Sequence, residues 1–140
     1  MNIYFSCSIV GGRADQPVYA ALVDHLQARG HTVPTAALAA EGILEEEAEV
    51  DPGAVYARDV AWVNGAQALI AEVSTPSHGV GYEIALGLGR GLPVLCLYRA
   101  GAKVSKMLLG NTEPGLRLGA YGSVAEALAL VEAFLATAGA

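Results

Sequence analysis

The sequence of 140 residues carries 14 acidic and 8 basic side chains, a formal charge of −6, with 54% hydrophobic residues. That length suits one domain, 1–140, with room for a core. Six of the acids fall within Glu41–Asp51 and the remainder balance the bases, so no basic stripe is left for a nucleic-acid polymer. No apolar run reaches membrane-spanning length, and residues 1–10 look like a strand rather than a basic signal segment, so a cytoplasmic protein without a membrane partner is expected.

In chain order, "NIYFSCSIV" (2–10) has the β-branched, aromatic, near-continuous apolar character of a strand buried on both faces. A "GGR" turn follows. Asp15 then suits an N-cap, with Pro17 in the first turn of a helix that runs through Arg29 and closes at Gly30. "HTVPT" (31–35) reads as a short second strand weakened by Pro34, and the Ala- and Glu-rich stretch 36–51 as a mobile surface segment with some helix. Asp51 and Pro52 form a cap and first position for a helix to about Ala66. A third strand spans 67–74, and "YEIALGLGRG" continues as a helix with Glu83 in its first turn. "LPVLCLY" (92–98) is a fourth strand, 100–116 an irregular connection and 117–121 a fifth strand. "SVAE" (123–126) is a capping box that opens the last helix. This alternation predicts a doubly wound α/β sandwich, three layers around a mostly parallel five-stranded sheet. Cys7 and Cys96 lie within apolar strand patterns, as buried reduced thiols do.

In such a sheet a ligand sits beyond the carboxyl ends of the strands, where "SIVGGR", "STPSHGVGYE" and "RAGAKVSKM" meet. No dinucleotide or P-loop glycine pattern is present, so no cofactor and no metal is expected. Two carboxylates stand out. Asp59 falls on the same helical face as Val55, Trp62, Val63 and Ala66, which is costly unless it is paired with an arginine, bonded to a loop amide, or part of a site. Glu83 either favours the helix dipole or, with glycines clearing the space before it, receives a close ligand. Ser77 and Gly79 just ahead of it suit a phosphate at a helix N-terminus. Two such carboxylates suggest glycosidic chemistry, one nucleophile and one acid.

"YFSCSIVGGR", "RDVAWVNGAQALIAEVSTPSHGVGYEIALG" and "LPVLCLYR" resemble the 2′-deoxynucleoside 5′-monophosphate N-glycosidases of the nucleoside 2-deoxyribosyltransferase superfamily, from the first strand to about Met107. The resemblance implies a retaining mechanism in which Glu83 attacks C1′ and Asp59 assists departure of the base and then activates water. Tyr4 matches a tyrosine that orients the nucleophile. Ser8, Gly11, Ser77 and Gly79 match positions around the sugar phosphate, and Gly12 and Arg13 complete the same turn as substrate contacts. Ser105 matches a serine that reaches the phosphate of a neighbouring subunit, which implies a homodimer. Val10 stands where members of the group often carry arginine, and Arg13 could compensate if the turn folds it inward. The alternatives are a base-exchanging deoxyribosyltransferase and, from another class, a nucleotide-binding regulatory module without turnover.

Overall fold

The computed structural model describes residues 1–139. Its sheet has four parallel strands, β1 (Ile3–Ser6), β2 (Ala68–Glu72), β3 (Val94–Arg99) and β4 (Leu116–Tyr121), in the spatial order β1-β2-β3-β4. The helices are α1 (Gln16–Ala28), α2 (Ile43–Ala48), α3 (Pro52–Gly65), α4 (His78–Gly89), α5 (Lys106–Leu109) and α6 (Val124–Ala138), with a 3₁₀ turn at Ala36–Ala39. Among the described residues no helix is long and apolar enough to cross a membrane.

The expected five-stranded sheet is therefore corrected to four. "HTVPT" contributes only a parallel bridge between Thr32 and Asn2. Thr32 donates to Met1 O (2.9 Å) and accepts from Ile3 N (2.8 Å), but the next donor along the ladder would be Pro34, which has no N–H. The Phe5 amide turns instead to the Thr35 hydroxyl (3.1 Å).

Side-chain alternation sorts the strands into two cores. Ile3, Phe5, Ala68, Ile70, Leu95 and Leu97 join buried residues of α1 and α6. Tyr4, Leu69, Ala71, Val94 and Cys96 pack with Val63 of α3 and with Val80 and Ile84 of α4. From β1 the chain passes to Thr32 on one side and later enters β2 on the other, so the carboxyl ends of β1 and β2 frame a crevice where the winding reverses.

Local signals explain most helix ends. Asp51 accepts from Ala54 N (3.1 Å) with Pro52 in the first turn. Ser123 accepts from Glu126 N (3.2 Å), while Glu126 reaches back to Gly122 N (2.6 Å), one residue before the amide a capping box normally engages. Asp15 occupies the N-cap of α1, but its carboxylate pairs with Arg99 instead of capping. The 36–51 stretch does carry some helix, the 3₁₀ turn and α2, and is anchored to the core by buried Leu38, Ala39 and Ile43. The first turn of α4 lies earlier than expected. Ser77 is the cap, accepting from Val80 N (3.4 Å), and this places Glu83 in the second turn.

Candidate active site

β1 sends odd-numbered residues to one core and Tyr4 and Ser6 to the face covered by α3 and α4. Glu83, half-buried on α4, meets them there, its Oε2 accepting a short hydrogen bond from Ser6 Oγ. Burial is the main force on this carboxyl, and it pushes the pKa up to about 7. The Ser6 and Tyr4 hydroxyls act as donors that hold it down, the Asp59 charge raises it, and the Arg58 charge lowers it. Tyr4 is driven far above the ordinary phenol range by burial first and then by the Glu83 and Asp59 charges. It stays protonated, a fixed donor beside the carboxylate.

Asp59 comes from the buried face of α3 and has an arginine partner. Arg58 Nε donates to Asp59 Oδ1 (2.8 Å), and its two terminal nitrogens grip both oxygens of Glu47 on α2 (2.8 and 3.1 Å). The guanidinium lies 4.9 Å from the Trp62 ring centroid.

A second group of residues forms where the loops after β1 and β2 touch. A Cβ on Gly11 would lie 2.3 Å from Pro76 O and 2.9 Å from Ser8 Oγ, so only glycine lets these backbones meet. Gly12 has φ +129°, and a Cβ there would rest against Thr75. Ser8 is fully buried, and its hydroxyl has no hydrogen-bond partner among the described residues. Ser77 offers its lone pair to the first turn of α4, which leaves its proton for a ligand. Beyond it, the space beside Gly81 is open, and a Cβ on Gly79 would meet only Ser77 Oγ, at 3.9 Å.

Arg13 is folded inward. It donates to the carbonyls of Ser8 (3.0 Å), Leu38 (3.0 Å) and Ala40 (2.7 Å), tying the β1 turn to the 3₁₀ segment. Val10 is almost wholly exposed, as is His78 in large part. Ser105 is exposed at the start of α5, where its hydroxyl accepts from Met107 N (3.2 Å), and it makes no hydrogen bond to the Glu83 group. A cavity of about 290 Å³ lies beside Arg13, Gln16, Glu41 and Glu45 but includes neither Glu83 nor Asp59, and its two acids disfavour an anion.

Ser6 and Arg58 were not among the sequence candidates. The period-two spacing Tyr4-Ser6-Ser8 was the signal for the first, and the need of a buried-face Asp59 for a cation was the signal for the second. Glu72, on the opposite face, is fully buried and accepts from Ser74 and from Tyr121 Oη (2.8 Å). Burial raises its pKa. Ser74 Oγ in turn accepts from Arg99 N (2.7 Å), so Glu72 braces the start of the 74–77 loop. Cys7 and Cys96 are free and buried, their thiols pushed up to about 11 and about 12 by that burial, which leaves them inert.

A family model, nucleoside 2-deoxyribosyltransferase, matches residues 3–129. A Methanococcoides burtonii protein named "Putative 2'-deoxynucleoside 5'-phosphate N-hydrolase 1" is 35% identical over 87% of this chain and all of its own length. A Syntrophotalea carbinolica protein of the same name is 41% identical over 90% of this chain and 88% of its own. The 5-hydroxymethyl-dUMP N-hydrolase of Mus musculus is 39% identical over 80% of this chain and 66% of its own. Among solved structures, a Clostridium botulinum CMP N-glycosidase superposes with a TM-score of 0.71 at 16% identity, over 94% of this chain and 98% of that one.

Proposed function

Since the chain belongs to the nucleoside 2-deoxyribosyltransferase family, we propose that it hydrolyses the N-glycosidic bond of nucleoside 5′-monophosphates, 2′-deoxy forms included, to free base and sugar 5-phosphate. The observation that carries this reading is the Glu83 carboxyl, held by Ser6 and partly desolvated on the face where Tyr4 and Asp59 also lie. The names of relatives that share over a third of their residues with this chain support the same reaction class.

The ionised Glu83 attacks C1′ of the sugar. The C1′–N bond breaks with its electron pair passing to the base, and a glycosyl ester forms on Glu83. Asp59 gives its proton to the departing base. It then draws the proton from a water that attacks C1′ and releases Glu83 as carboxylate. Tyr4 orients Glu83 throughout. No cofactor enters the scheme.

The 5′-phosphate sits between the two clamped loops. Ser8, Ser77 and the amides of Gly11, Gly12 and Gly79 face it, and the α4 N-terminus adds its dipole. Arg13 acts there by holding the turn, since it spends its donors on carbonyls. Within a doubly wound three-layer frame, a second copy of the chain brings its Ser105 to the same phosphate, and the unit is a homodimer.

A panel of ribo- and deoxynucleoside 5′-monophosphates scored for released base tests the reading. Release from at least some of the panel is expected. No release from any, or base exchange that outpaces hydrolysis when a second base is supplied, overturns it.

A further inference from the structure

We infer that Glu47 and Arg58 are a positioning pair for Asp59: the α2 carboxylate fixes the guanidinium, and the guanidinium fixes one oxygen of the site carboxylate. The inference rests on the hydrolase reading only for the consequence in turnover.

Neighbours in a helix point about 100° apart, so an arginine does not reach the next residue's carboxylate without something to bend it there. Glu47 supplies that constraint. It takes both terminal nitrogens of Arg58 at 2.8 and 3.1 Å, which leaves Nε to meet Asp59 Oδ1 at 2.8 Å. The Trp62 ring 4.9 Å away restrains the plane of the fork. None of the three is a loose surface group, with side chains 15%, 27% and 17% exposed for Glu47, Arg58 and Asp59. A pair so held is worth more in orientation than in stability. Asp59 Oδ2 takes no hydrogen bond among the described residues, so one oxygen is anchored and the other presented.

The pair also sets the charge around the nucleophile. Glu83 faces Tyr4 and Ser6 from β1 and Asp59 and Arg58 from α3, with His78 and Tyr82 on its own helix. The β2 and β3 residues sharing its core are apolar apart from the protonated thiol of Cys96 and the phenol of Tyr98. Arg58 is the cation that favours the ionised carboxylate.

The test is a double-mutant cycle of Glu47→Gln and Arg58→Gln, with Arg58→Lys added. Each single change is expected to lower kcat by about tenfold or more with KM within about threefold, and lysine, lacking the fork, does not rescue. The double variant should be no worse than Arg58→Gln alone, because Glu47 acts only through that residue. The acid limb of the kcat/KM profile should move to higher pH in Arg58→Gln. Single variants at wild-type kcat, or losses that multiply in the double, overturn the pairing. A measurement without substrate separates this from the activity itself. Arg58 Nε–H exchange with solvent, followed by NMR, should accelerate about tenfold or more in Glu47→Gln. Unchanged exchange in Glu47→Gln sinks the pairing even if the enzyme is active, whereas exchange accelerated by Glu47→Gln, in a protein whose wild type releases no base, upholds the pairing and sinks the hydrolase reading.

Discussion

Glu83 carries two opposing demands. As a nucleophile it must be ionised, yet burial raises its pKa from the ordinary 4.5 to about 7. Hydrolysis should therefore rise with pH through about 7 on the acid limb of kcat/KM, the side on which Glu83 loses its proton. The same shift bears on stability with a definite sign. The unfolded chain gives up this proton near 4.5 and the folded one only near 7, so folding binds the extra proton and stability falls as pH rises across that window. Glu83→Gln removes that loss. Its Tm relative to wild type should climb between about pH 5 and pH 8, while its turnover falls by several orders of magnitude. A flat Tm difference would show the carboxyl to be ordinary, and turnover within about tenfold of wild type would remove it from the chemistry. Ser77 sets the second residue-scale prediction. Its proton is free because only its lone pair caps α4. Loss of the 5′-phosphate from substrate should cost at least ~3 kcal/mol in kcat/KM, roughly a hundredfold. Ser77→Asp keeps an N-cap, so the helix should survive while like-charge repulsion narrows or reverses the phosphate preference. A nucleoside compared with its 5′-monophosphate, in both proteins, decides it.

At the scale of elements, the crevice depends on two loops touching backbone to backbone. Pro76 O occupies the space where a Gly11 side chain would begin. Gly11→Ala should push the β1 and β2 loops apart and cost about tenfold or more in kcat/KM, with only a modest drop in Tm because neither loop carries much core. Wild-type kinetics for this variant would mean the loops do not jointly bind substrate. Much of this scale was legible in the sequence. Asp51-Pro52, Ser123 and the Leu-rich strands announce themselves through caps and periodicity, which act within a few residues. The start of α4 was placed too late because Gly79 and Gly81 read as loop. In the fold, the Ser77 cap and the burial of Val80 and Ile84 outweigh the poor helix propensity of the two glycines. "HTVPT" erred the other way, because its β-branched residues suggested a ladder that Pro34 ends after a single bridge.

At the scale of the whole molecule, Ser105 ties the site to assembly. If Ser105 completes a partner's phosphate site, Glu83→Ala and Ser105→Ala proteins should regain activity when mixed and allowed to exchange subunits. Each heterodimer would then hold one site with both groups intact. Mixtures no more active than their components, or a fully active monomer by sedimentation, would confine the site to one chain. What the sequence by itself determined was the α/β class and, apart from the strand expected at 31–35, the alternation of the main strands and helices, since these follow from local propensity and hydrophobic pattern. It also marked Asp59 and Glu83 as carboxylates in need of an explanation. Only the tertiary structure decided that Ser6 donates to Glu83, that Arg13 is folded against carbonyls, and that Arg58 stands between Glu47 and Asp59. Those contacts join residues from separate helices, strands and loops. A hydrogen bond between them depends on distances of a few tenths of an ångström, set by how the whole sheet and its helices pack and not by anything local in the chain.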